Sequence, residues 1–135
     1  MGKKIVLDTN VLISAFGWNG TPRNIVLATL EGKYELITTT EQLTEIQRAL
    51  SYPKLKLTNK QQQNILEVIK HAATIVQPKT SVYVIQEDPD DNKILEAAIA
   101  GKATTIISGD KHVLQLQTYK NIPIQKPREF YEKNK

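Results

Sequence analysis

A chain of 135 residues with 40% hydrophobic and 24% charged content can bury one core and has the balance of an ordinary globule. It contains no cysteine, which excludes disulfides, thiolate metal sites and a cysteine nucleophile. The formal net charge of +4 comes from fifteen lysines and three arginines, so any gathering of acids sits inside a cationic body suited to a polyanion.

Strand and helix signals alternate along the chain, which predicts a single domain over 1–135 with a mainly parallel sheet and helices on both faces. The apolar run Ile5-Val6-Leu7 closing on Asp8 reads as a buried strand over 4–8. A short helix is expected over 10–16, broken by Gly17 and Gly20, and Pro22 opens another over 22–31. Gly32 ends that helix, since glycine takes the left-handed cap most cheaply. A strand over 34–38 precedes a helix over 41–50, and Pro53 breaks the chain. Residues 58–74 read as a long amphipathic helix with Ile65, Ile69 and Ala72 on one side. Strands are expected at 74–77 and 82–85, a helix at 90–101, a strand at 104–108 and a short helix at 111–117. An edge strand at 122–125 and a helix at 127–133 close the chain. No stretch is apolar enough for a membrane span or signal peptide, so the expected location is cytoplasmic.

The five aspartates fall in three places: Asp8, the run Asp88-Pro89-Asp90-Asp91, and Asp110. Asp8 and Asp110 follow apolar strands, and the carboxyl ends of parallel strands share one rim where ligands bind. Carboxylates gathered there repel one another unless a hard divalent cation neutralises them. Within 88–91, Asp91 precedes Ile94 by three and Leu95 by four, which puts it on the buried stripe of its helix. Asp90 lies about 100° away, toward solvent or the margin of the site. Asp88 followed by proline reads as an N-cap. Each remaining acid has a structural alternative: Asp8 could cap 10–16, Asp110 could cap 111–117, and Asp91 could serve the helix dipole. Glu45 flanks the apolar stripe of its helix, with Glu41 one turn earlier as its confounder and Arg48 as an ion-pair alternative. His71 and His112 read as surface residues with no partner at metal spacing. There is no phosphate-binding glycine loop, so no nucleotide cofactor is expected.

Together, Val6-Leu7-Asp8-Thr9-Asn10-Val11-Leu12, the helical Glu45, Asp88-Pro89-Asp90-Asp91-Asn92-Lys93-Ile94-Leu95 and Ile107-Ser108-Gly109-Asp110 resemble the PIN-domain nucleases. The branch they resemble most is the toxin components of toxin–antitoxin pairs. The resemblance implies a three-layer α/β/α sandwich with a central, mainly parallel sheet, binding Mg2+ or Mn2+ and hydrolysing RNA. It implies Asp8, Glu45, Asp91 and Asp110 as catalytic and metal-binding acids, supported by Thr9, Asn10 and Ser108; Asp90, at the margin on the helix wheel, is expected to support the site only through outer-shell water. A homodimer and a small antitoxin are the protein partners it implies.

Substrate grip is expected from Arg48, Lys54, Lys56 and Lys60, with Tyr52 or Trp18 available to stack an unpaired base. A haloacid-dehalogenase-like phosphotransferase would want a second aspartate two residues after Asp8, where this chain has Asn10. Two alternatives stay open: an inactive PIN-fold module that binds RNA or acts as a scaffold, and a PIN nuclease acting on DNA or structured junctions.

Overall fold

A computed structural model of the chain describes residues 2–134, with the side chain of Asp90 outside the described part. The elements are β1 (Lys3–Leu7), α1 (Thr9–Gly17), α2 (Thr21–Leu30), β2 (Tyr34–Thr38), α3 (Thr40–Leu50), α4 (Asn59–Ala72) and β3 (Ala73–Ile75). They continue with α5 (Asn92–Ala100), β4 (Thr105–Ile107), α6 (Lys111–Leu114), β5 (Thr118–Tyr119), β6 (Ile122–Gln125) and α7 (Pro127–Asn134). One sheet runs in the order β3-β2-β1-β4-β6-β5, parallel throughout except for the β5–β6 hairpin.

Strand side chains alternate between faces, and the apolar strand runs fill both. Ile5, Leu7, Leu36 and Ile107 join one core with Leu12, Ile25, Ile46, Ile69 and Phe130, from α1, α2, α3, α4 and α7. Val6, Ile37 and Ile106 join the other with Leu95 of α5 and Val113 of α6. This is the expected three-layer α/β/α sandwich. Each large aliphatic fully buried in it contributes about 1.5–3 kcal/mol.

From β1 the chain moves outward through β2 and β3, then crosses back to β4 on β1's other side. The switch in direction therefore lies between β1 and β4, where a crevice opens at the carboxyl ends of such a sheet. The Asp8 N–H donates to the Ile107 carbonyl at 2.9 Å and closes that seam.

Several boundaries depart from the sequence pattern. Residues 82–85 are not a strand, because side chains of α5 take their backbone groups. Glu96 Oε2 accepts from the Val82 N–H at 2.9 Å, and Asn92 Oδ1 accepts from the Ile85 N–H at 2.8 Å. Asn92 Nδ2 also donates to the carbonyls of Ile85 and Pro89. The alternation of 82–85 instead serves packing, with Val82 and Ile85 buried against α5. The helix expected from residue 90 begins at Asn92, after a 3-10 turn over Pro89–Asp91. Asp91 is thus the residue that opens α5, and its N–H donates to the Asp88 carbonyl at 3.0 Å. The helix expected over 111–117 stops at Leu114, and the β5–β6 hairpin follows through Lys120 and Asn121, both at positive φ. That turn geometry usually calls on glycine, so Lys120 hid it.

Other signals map directly. Gly32 takes φ +85° after α2. Thr58 and Gln61 form a reciprocal capping box that starts α4, each accepting the other's backbone N–H. Among the described residues, no helix is long and apolar enough to cross a membrane.

Candidate metal centre and cleft

Asp8 stands one residue past β1 and is 5% exposed. Its Oδ1 accepts from the Asn10 N–H at 2.8 Å, which caps α1, and its Oδ2 accepts from the Ser108 hydroxyl at 2.6 Å. The capping alternative and the rim position therefore coexist in one carboxylate. Burial pushes the Asp8 carboxyl above its usual range, against the opposing pull of those hydrogen bonds.

Asp110 lies past β4 and caps the short α6, its Oδ1 accepting from the His112 N–H at 2.7 Å. The Asp110 N–H donates to Ser108 Oγ at 3.0 Å. Ser108 is fully buried and so couples Asp8 to Asp110 rather than facing the cleft.

Glu45 reaches the rim because α3 is pinned by a buried amide. Gln42 Nε2 donates to the Leu7 carbonyl at 2.7 Å, and Gln42 Oε1 accepts from the Thr38 hydroxyl at 2.6 Å. These bonds hold the first turn of α3 against the ends of β1 and β2. One turn on, Glu45 Oε1 accepts a short hydrogen bond from Thr9 Oγ1.

Asp91 completes the cluster. Its side chain makes no capping bond, and its Oδ2 is buried with no hydrogen-bond partner among the described residues. Burial first, then the charges of Asp110, Asp88, Asp8 and Glu45, push its carboxyl up to about 7. An orphaned carboxylate oxygen under that pressure fits a cation, and the donors are hard oxygens. Ligand atoms of Asp91, Asp110 and His112 lie within 4.8 Å of one another.

Asp8, Glu45, Asp91 and Asp110 line one cleft of about 450 Å3. Thr9, Asn10, Arg48 and Tyr52 share its wall. Asp8, Asn10 and Asp110 also face a second depression of about 390 Å3, bounded by Gly109, Ser14 and Pro127. Asp8 and Asp110 thus stand between two openings, whereas Glu45 and Asp91 face only the first.

Some sequence expectations fall elsewhere. Lys54, Lys56 and Lys60 are not among the residues lining the main cleft; Lys54 and Trp18 line a separate small apolar groove. The Asp90 side chain lies outside the described residues. Asp88 faces the main cleft, and so do Glu41 and Lys93. His112 is not a detached surface residue: its Nδ1 is 3.6 Å from Asp110 Oδ1. Its signal was present in the sequence, since a residue two past a capping aspartate shares the cap's turn. Nothing local marked Lys93, whose place depends on where α5 begins.

A family model described as PIN domain matches residues 4–112 of the chain. No curated protein matches it.

Proposed function

The chain belongs to the PIN-domain family, whose members are generally metal-dependent nucleases, and on that premise we propose that it is an endoribonuclease using Mg2+ or Mn2+. The observation that carries this reading is the convergence of Asp8, Glu45, Asp91 and Asp110 on one cleft, with the Asp91 carboxyl raised to about 7 and its Oδ2 unpartnered.

Asp8, Asp91 and Asp110 would hold the ion, with Glu45 binding directly or through water. A divalent cation there supplies charge neutralisation at a phosphodiester and acidifies water in the cleft. Ser108 keeps Asp8 oriented and Thr9 keeps Glu45 oriented, each by the hydrogen bond described above. Asn10 is exposed on the wall, where its amide would meet a phosphate oxygen. Arg48 and Lys93 supply cationic side chains at the same wall, and half-exposed Tyr52 offers a face to an unpaired base. Lys54, Lys56 and Lys60 would act farther along the strand. The openings on either side of Asp8 and Asp110 would leave room for a strand to cross the site, and on that basis cleavage is proposed at internal bonds.

The ordered motifs resemble the toxin branch, so the reading extends to a toxin that works as a homodimer in the cytoplasm and is restrained by a small antitoxin protein. Purified chain incubated with single-stranded RNA and DNA of one sequence tests the activity. RNA cut internally with Mn2+, and left whole in excess EDTA, is the expected result; DNA cut in preference to RNA overturns the substrate assignment. The toxin role predicts growth arrest on expression, relieved by the product of an adjacent small gene. Expression without growth arrest contradicts it.

A further inference from the structure

We propose that His112 supplies a nitrogen ligand at the edge of the acidic cleft, beside Asp91 and Asp110, so that first-row transition dications such as Mn2+ and Ni2+ gain a bond there that Mg2+ does not exploit. The inference rests on the metal-dependent reading of the cleft and goes beyond its four acids. His112 Nδ1 is 3.6 Å from Asp110 Oδ1, and a donor atom of Asp91 completes a set within 4.8 Å. Two ligands at about 2.1 Å from one ion stand at most about 4.2 Å apart. The His112–Asp110 separation of 3.6 Å is therefore one that a single ion could bridge, and the 4.8 Å limit on the whole set brings Asp91 near the same reach.

The imidazole is held where it can serve. Its own N–H backbone bond to Asp110 fixes the residue in the first turn of α6, and the next residue, Val113, is fully buried. Among the described residues the ring has no partner besides Asp110. Imidazole suits Mn2+ less than Ni2+, yet binds both better than it binds Mg2+, which favours oxygen and water. An all-acid cleft would rank these ions by carboxylate affinity alone. One imidazole widens the gap between Ni2+ and Mg2+.

The test uses metal-free full-length protein and no RNA. Mn2+-loaded wild type and His112→Ala are compared by pulsed electron paramagnetic resonance for coupling to a directly bound 14N. Ni2+ and Mg2+ affinities of both proteins are measured by calorimetry. The substitution keeps the residue-112 backbone N–H that donates to the capping Asp110, and an unchanged metal-free Tm verifies the fold. Expected are a 14N coupling in wild type that is absent in His112→Ala, a Ni2+ affinity lowered at least about tenfold, and Mg2+ affinity changed less than about twofold. Mn2+ bound without 14N coupling, or equal losses for Ni2+ and Mg2+, overturns the role of His112 and leaves the acid site standing. A wild type that binds none of the three ions overturns both readings.

Discussion

The Ser108 hydroxyl donates a 2.6 Å hydrogen bond to Asp8 Oδ2, joining residues 100 positions apart at the seam between β1 and β4. A buried carboxylate stays ionised only if donors replace lost water, and this is one of the few donors it has. Ser108→Ala is expected to destabilise the fold by about 1–3 kcal/mol at neutral pH, by stranding a buried oxygen. It should also weaken Mn2+ binding, because Asp8 then retains its proton more strongly. Urea unfolding with and without Mn2+ measures both effects; an unchanged midpoint would show that water replaces the hydroxyl.

Asn92 closes the connection between β3 and α5 with one amide. Its side chain bonds the Ile85 N–H, the Ile85 carbonyl and the Pro89 carbonyl. Asn92→Ala is expected to cost about 2–4 kcal/mol, since buried backbone groups lose their partners together. It should also release the turn that presents Asp91, so metal affinity falls with it. Amide hydrogen exchange at Ile85 reports the local effect, and retained protection there would contradict it. Glu96→Gln, which keeps an oxygen for the Val82 N–H, should be far milder.

Asp91 predicts the sign of a pH dependence. Burial and the neighbouring acids push its carboxyl up to about 7 in the folded protein, against an ordinary 3.8 in the unfolded chain. Between those values the folded state binds more protons at Asp91, so the contribution of this group to metal-free stability falls as pH rises from about 4 and levels off above about 7. A divalent ion needs the ionised form, so stabilisation by Mn2+ should grow over the same window. Melting curves at pH 5 and pH 8, with and without Mn2+, read this directly. A Mn2+ shift larger at pH 5 than at pH 8 would contradict it.

The legible parts of this molecule were those set by local pattern. Ile5-Val6-Leu7 before Asp8 and Thr105-Ile106-Ile107 before Ser108 announce buried strands whose ends meet. Asp91 could be placed on the cleft from its offset to Ile94 and Leu95, although α5 starts two residues later than the pattern predicts. What could not be read was non-local pairing. Val82 and Ile85 look like strand residues, and only the arrival of Asn92 and Glu96 diverts their backbone. The Gln42 amide that fixes α3 bonds atoms on two different strands, so its role has no sequence period. Lys54, Lys56 and Lys60 are near Glu45 in sequence, yet the turn at Pro53 carries them away from the cleft wall.

The most direct measurement compares RNA cleavage by wild type and Asp91→Asn at pH 8 in saturating Mn2+, alongside the Tm of each with and without the ion. Removing a carboxylate that its neighbours oppose should raise the metal-free Tm of Asp91→Asn, while its Mn2+ shift and its cleavage are both lost. Wild type should cleave, and gain Tm with Mn2+. An Asp91→Asn protein that cuts RNA at the wild-type rate, with its Mn2+ shift intact, would contradict a metal centre at this cleft.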